Sequence, residues 1–383
     1  MKTPARVKTI AGKSRRSAVR LCLVLLASCV CVQAARPPAR PTITNPVAPR
    51  GQDPWVTQSS GLYYYCYSHR DVIWVNADAR LERAVQYAGK RVWRPQRDKP
   101  WSRELWAPEL HYLAGCWYIY VAADDGRNEN HRMYVLQAQT SDPTGPYALA
   151  GKIGDSSDKW AIDGTVMRHR NGLYFIWSGW EGDVNVRQNL YIAPMSDPTT
   201  ISGDRVMIST PQYRWEKIGH PLVNEGPQVL TRSDRLFVIY SASGSWTDHY
   251  CLGRLELVGV DPLNPDSWRK KPEPVFQGTD TIFSPGHASF TKSPDCTQDW
   301  IVYHTAKHRG AGWNRCIRMQ PFTWNEQGAP VFGRPVPDNV EIPAPSQRPP
   351  DRQKACVDSA RPYSGSLQAK TPGQGNTQCF DIQ

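Results

Sequence analysis

At 383 residues, with 15 Trp, 17 Tyr, 28 Gly and 33 Pro, the chain is long enough for one large all-β domain or two ordinary ones. Its formal charge of +11 suggests a polyanion partner, but ten of the 46 Lys and Arg lie in residues 1–50, where there is no Asp or Glu. From residue 51 onward 36 basic residues face 35 acidic ones, so the folded part is nearly neutral and a nucleic-acid groove is excluded.

In chain order, a basic stretch through Arg20 leads into the apolar run Leu21 to Val32 and the small-x-small pattern Val32-Gln33-Ala34. That is the layout of a secretory signal peptide over residues 1–34, and the apolar run is too short to span a bilayer. Leu26-Ala27-Ser28-Cys29 also fits a lipoprotein anchor at Cys29, and Ser14-Arg15-Arg16 weakly resembles a twin-arginine signal. Ordinary secretion of a monomer with no membrane span is the expectation. Residues 35–50 are Pro- and Arg-rich and read as an extended lead-in. Residues 344–383 are Pro-rich and polar and read as a tail. Loss of the leader leaves seven cysteines without a C-x-x-C pair, which argues against zinc and for some disulfides, with Cys296–Cys316 and Cys356–Cys379 the local candidates.

Between these segments the chain repeats itself. Asp53, Glu109, Asp163, Glu225 and His287 are 56, 54, 62 and 62 residues apart, each beside Pro or Gly. About ten residues after each comes an aromatic, β-branched run, such as Leu62-Tyr63-Tyr64-Tyr65 or Leu236-Phe237-Val238-Ile239-Tyr240. Arg132 to Thr140 and Asn189 to Met195 read as further strands. A polar mark followed by a strand, five times over residues 51–343, predicts a five-bladed β-propeller with a central active-site pocket. Its geometry brings the five marks to one axis. Asp-Pro and Asp-Gly are common turn formers, but recurrence in phase with the blades favours function, since an axis has no structural need for buried acids. Asp53, Asp163 and Glu225 are then the acids available for glycosidic hydrolysis, which needs one acid to protonate the leaving oxygen and one carboxylate to activate water. A third carboxylate nearby raises the pKa of the acid.

Gln52-Asp53-Pro54, Trp106-Ala107-Pro108-Glu109, Ala161-Ile162-Asp163-Gly164, Asn224-Glu225-Gly226-Pro227 and Ser284-Pro285-Gly286-His287 resemble, in order, the motifs of glycoside hydrolase family 43. The resemblance implies inversion, with Asp53 as general base, Asp163 as pKa modulator and Glu225 as general acid. It further implies a substrate contact for Arg315 and an axial place for His287. Trp106, on a loop able to reach the pocket, and Glu109, a hydrogen-bond organiser at the pocket wall or a turn residue rather than a catalyst, are the other substrate-binding candidates. No cofactor is required by the resemblance, although a structural calcium held through waters near His287 is one reading, a polar plug the other. Trp180 and Trp246 sit on loops able to reach the pocket, although blade packing explains most tryptophans. Within the family, Trp106-Ala107-Pro108-Glu109-Leu110-His111 and Arg318-Met319-Gln320-Pro321-Phe322-Thr323-Trp324 resemble exo-acting α-L-arabinofuranosidases. The implied substrates are plant cell-wall arabinan or arabinoxylan-type polysaccharides and their oligosaccharides. A β-xylosidase and a non-catalytic sugar-binding propeller are the alternatives.

Overall fold

The hairpin turns set the architecture. Ser60-Gly61 (φ 50° and 80°) and Ala114-Gly115 (φ 48° and 83°) place two successive residues in the left-handed region. That is the two-residue turn whose twist matches paired antiparallel strands. In the computed structural model, which describes residues 41–347, nearly all regular structure is strand, with one four-residue helix, α1 (Leu81–Ala84).

After β1 (Thr42–Thr44), four strands form the first antiparallel sheet: β2 (Trp55–Ser59), β3 (Leu62–Ser68), β4 (Ile73–Asp78) and β5 (Lys90–Trp93). The second holds β6 (Arg103–Leu113), β7 (Cys116–Asp124), β8 (Arg132–Ala138) and β9 (Tyr147–Ile153). The next path runs through β10 (Ala161–His169), β11 (Gly172–Gly179) and β12 (Arg187–Asp197), with β13 (Thr200–Ile201) and β14 (Val206–Ser209) both paired to β12. A short parallel pairing, Arg187 with Leu222 and Gln188 with Val223, joins it to β15 (Leu222–Arg232). There β16 (Arg235–Ala242), β17 (Cys251–Leu257) and β18 (Trp268–Lys270) follow, making nine strands in all. The last four-stranded sheet contains β19 (Phe283–Lys292), β20 (Asp299–Ala306), β21 (Arg315–Trp324) and β22 (Pro330–Val331). Finally β23 (Glu341–Pro343) pairs with β1.

The aromatic runs predicted as strands are β3, β7, β11, β16 and β20, each second in its antiparallel path. They carry the largest buried side chains: Tyr63, Tyr65, Tyr120, Tyr240, Trp300 and Tyr303. Strand β7 is buried along its whole length, so both of its faces pack and its sequence is apolar up to its last residue, Asp124, whereas β9 alternates with solvent. The two ends of the described chain meet. Asn45 donates from Nδ2 to the Met319 carbonyl (2.9 Å) and accepts from the Met319 N–H at Oδ1 (3.0 Å), and Ala48 bridges Ile317. The Val56 N–H of β2 donates to Ser289 Oγ of β19 (3.2 Å).

The local pair Cys296–Cys316 is not formed. Cys316 is a free thiol, buried against the Thr305 hydroxyl at 3.3 Å, and Cys66 and Cys251 are also free and buried. Cys116 and Cys296 are both disulfide-bonded. The leader through Ala34, Cys29, the Cys356–Cys379 pair and the tail beyond residue 347 lie outside the described residues. Among the described residues no helix is long and apolar enough to cross a membrane.

Candidate active site

Four of the first strands lose register near their start. The breaks fall between Arg103, Trp106 and Glu109 in β6, and between Ile162 and Thr165 in β10. In β15 the break lies between Glu225 and Gln228, and in β19 between Phe283, Gly286 and Ser289. A bulge leaves a residue unpaired and re-aims its side chain. Left-handed residues lie at all of these breaks: Glu104 (φ 48°) and Ala107 (φ 42°) in β6, Asp163 (φ 56°) in β10, Gly226 (φ 54°) in β15, and Ser284 (φ 55°) and His287 (φ 46°) in β19. Asp53 (φ 45°) is another, just before β2. For side-chain-bearing residues that conformation costs about 1–3 kcal/mol each and clusters at functional sites. The glycines of Asp163-Gly164 and Gly286-His287 serve closeness rather than turning. A Cβ on Gly164 would meet Phe175 Cζ at 2.1 Å, and one on Gly286 would meet the Tyr250 ring at 2.2 Å.

These bulges bring together side chains remote in sequence. The His287 Nδ1 atom lies 3.2 Å from Asp53 Oδ1 and 4.0 Å from Asp163 Oδ2. The Gly226 N–H donates to Asp163 Oδ2 (3.0 Å), tying that carboxylate to the backbone next to Glu225. The Arg315 guanidinium Nη1 lies 3.4 Å from Asp53 Oδ1, and its Nη2 donates to the Ser245 carbonyl (3.2 Å). Asp163, Glu225, His287 and Arg315 are all buried, while Asp53 keeps 15 % of its side chain exposed, enough for solvent to reach it.

Two further residues belong here that the repeat pattern did not mark. Tyr250 donates its hydroxyl to Glu225 Oε1 (2.8 Å). His304 Nδ1 accepts the Asp53 N–H (3.1 Å) and lies 3.2 Å from Asp53 Oδ1. Their rings stack at 5.6 Å with planes 7° apart, so one aromatic pair braces both Asp53 and Glu225.

The environments push the carboxyls apart. Burial raises Asp53, but the charges and hydrogen bonds of His287, His304 and Arg315 overcome it and hold it well below the ordinary carboxylate range. Burial also pushes His287 down and His304 down to about 3, so the permanent positive charge facing Asp53 is that of Arg315. Glu225 is pushed up to about 7, by burial first, with the Tyr250 hydrogen bond opposing and the Asp53 charge adding. Asp163 is raised well above its usual value by burial and then by the Glu225 charge. The arrangement offers an ionised carboxylate beside a carboxylic acid that survives to neutral pH, which is what paired acid–base chemistry requires.

Glu109 occupies the next layer. Its carboxylate accepts from Gln228 Nε2 and lies 2.9 Å from His111 Nε2, in register with the residues beyond each bulge rather than with Asp163 and His287. The β6 counterpart of those marks is Ala107, which has no functional side chain. Trp106 lies against His131 at 4.0 Å and donates to Glu104 Oε2 (3.1 Å). Trp180 is buried and stacked on Trp160 at 4.8 Å, the packing role expected of most tryptophans. Trp246 meets Trp313 edge-on at 6.2 Å. For calcium, His287 Nδ1 is already engaged by carboxylates, and no group of three or more His, Cys, Asp or Glu among the described residues is arranged to hold a metal. Calcium takes roughly six to eight oxygens. The His287 imidazole supplies no oxygen, so His287 would hold such an ion only through bridging waters.

Residues 43–330 match the family model described as glycosyl hydrolases family 43. An extracellular exo-α-(1→5)-L-arabinofuranosidase of Streptomyces avermitilis is 34% identical over 348 residues, covering 85% of this chain and 72% of the relative. An α-L-arabinofuranosidase 43 of Humicola insolens is 35% identical over 316 residues, covering 79% and 65%. A solved α-L-arabinofuranosidase from Lactobacillus brevis superposes with a TM-score of 0.72 at 36% identity, covering 78% of this chain and 98% of that one.

Proposed function

Because the chain belongs to glycosyl hydrolase family 43, we propose that it is a secreted, inverting exo-α-L-arabinofuranosidase whose general acid is Glu225, whose base is Asp53 and whose pKa modulator is Asp163. The observation that carries this reading is the convergence of Asp53, Asp163 and Glu225 on one site, with Asp53 against His287 and Arg315, Asp163 tied to the Gly226 N–H and Glu225 bonded by Tyr250. These surroundings hold Asp53 low and push Glu225 up to about 7. Glu225 gives its proton to the glycosidic oxygen as the bond to the anomeric carbon breaks. Asp53 takes a proton from the water that attacks that carbon from the opposite face, and the sugar leaves with inverted configuration. Room for that water calls for carboxyls roughly 6.5–9.5 Å apart. Solvent then resets both protons.

The five-bladed propeller belongs to the same reading. It takes the nine-stranded sheet as two blades joined by their short parallel pairing, and the ring as closed through the β1–β23 pair and the Val56–Ser289 hydrogen bond. Secretion is supported by the leader pattern and by the extracellular naming of the Streptomyces relative. The substrates are the chain ends of α-1,5-arabinan and its oligosaccharides.

Incubation with linear arabinan should release free arabinose, seen first by NMR as the β anomer. Xylose from an aryl xyloside without arabinose from arabinan would replace this reading with the β-xylosidase one, and no release from either would leave a sugar-binding protein.

The pH profile tests the roles of the neighbours. With Asp163 and Glu225 coupled through their charges, the alkaline limb reports loss of the last proton the pair holds. Repulsion between the two charges makes that loss harder, so the wild-type limb should fall near or above pH 7. Asp163→Asn removes the repulsion and should move the limb to lower pH. Tyr250→Phe removes a hydrogen bond that stabilises ionised Glu225 and should move it higher. Limbs that stay put, or that move the same way, would contradict these roles.

A further inference from the structure

Trp313 is 65% exposed, an unusual setting for the largest apolar side chain. It lies in the β20–β21 connection, and Trp246 lies in the β16–β17 connection. Both connections join a second strand to a third, so they emerge at the same end of their sheets as the bulges that carry Glu225 and His287. Trp313 is nonetheless held in place. Its Nε1 donates to Ser245 Oγ (3.2 Å), and the Ser245 carbonyl accepts from Arg315, whose other nitrogen faces Asp53. The neighbouring loops are fastened by the Gly310 N–H donating to Asp248 Oδ1 (2.7 Å). Trp246 lies close over Gly244, where a Cβ would meet its ring at 2.6 Å, and presents itself edge-on to Trp313.

We infer that Trp313, buttressed by Trp246, is a stacking platform for the sugar on the leaving side of the scissile bond. This rests on the arabinofuranosidase reading. A pocket narrow enough to take one terminal arabinose encloses that ring on its own, and the next ring of the chain must leave through the rim. A fixed, exposed indole three contacts from the general base supplies apolar area there at little entropic cost, because its one polar atom is already bonded. The faces of a sugar ring carry C–H groups that suit such a surface. The platform therefore selects for polymer over small glycosides, without touching the reacting atoms.

The test compares kcat/KM on a linear arabino-oligosaccharide with kcat/KM on methyl α-L-arabinofuranoside, which has no sugar beyond the scissile bond. The ratio should fall about tenfold in Trp313→Ala and stay within about twofold of wild type in Trp313→Phe, which keeps a ring. An unchanged ratio in the alanine variant overturns the platform, as does an equal fall in both variants. A wild-type protein that hydrolyses neither compound sinks the arabinofuranosidase reading instead. Quenching of tryptophan fluorescence by the oligosaccharide then still reads the platform, which is overturned if Trp313→Ala leaves Kd within about twofold.

Discussion

Asp53→Asn should lower kcat by about a thousandfold while leaving the protein folded. The amide keeps the size of the carboxylate and retains an oxygen toward Arg315 and His287, so the circular dichroism spectrum should match wild type. What it loses is the ability to accept a proton, and removing a positioned base costs about 10²–10⁴ in rate. No neighbour can take over. His304 is buried and pushed down to about 3, and Asp163 is buried with one carboxylate oxygen tied to the Gly226 N–H at 3.0 Å. The wild-type acid limb should also lie far into the acid range, because Arg315 and the two histidines keep Asp53 ionised. Activity in Asp53→Asn within tenfold of wild type, measured on an aryl arabinofuranoside, would remove Asp53 from the base role.

The period of the repeat carried most of this site, because a bulged first strand returns to the same place each time. Four of the five marks, Asp53, Asp163, Glu225 and His287, lie together, and Arg315 joins them. The fifth mark was displaced by two residues. Pro108-Glu109 looks like an acidic mark beside proline, but the residue of that strand that matches Asp163 and His287 in register is Ala107, one of its two left-handed residues. Glu109 instead bonds Gln228 in the layer beyond. An acid at the right period is therefore not enough, and its position at the bulge matters: Asp163 and His287 are the left-handed residues, whereas Glu225 directly precedes one, Gly226.

Tyr250 and His304 were harder to read. Neither starts a repeat. Tyr250 ends a loop before β17 and resembles any other strand-edge tyrosine. His304 was signalled only by being a lone histidine in the apolar run from Trp300 to Thr305, a position that gives no hint of contact with Asp53, 251 residues away. The cysteines show the same limit. Cys296 and Cys316 are near in sequence, but Cys316 belongs to β21, where its thiol packs against Thr305 on the neighbouring strand. Spacing carried information wherever the repeat enforced it, and little where contacts crossed between strands.

The largest remaining effect should come from Glu225→Gln, and its dependence on the leaving group is more telling than its size. A sugar alkoxide is a poor leaving group and needs its proton as the bond breaks, so loss of the acid should cost about a thousandfold on an arabino-oligosaccharide. A nitrophenolate departs without help, and the same substitution should cost about tenfold or less on the nitrophenyl arabinofuranoside. Glutamine keeps an oxygen for the Tyr250 hydroxyl, so the aromatic brace on Asp53 is undisturbed and the base still works. Asp53→Asn should show no such split, since water must be activated whichever group leaves. If the split instead appeared in Asp53→Asn and was absent from Glu225→Gln, the two roles would have to be exchanged. That exchange would conflict with the physical ordering of the pair, in which the carboxyl beside Arg315 is the one kept ionised and the carboxyl raised by burial is the one kept protonated.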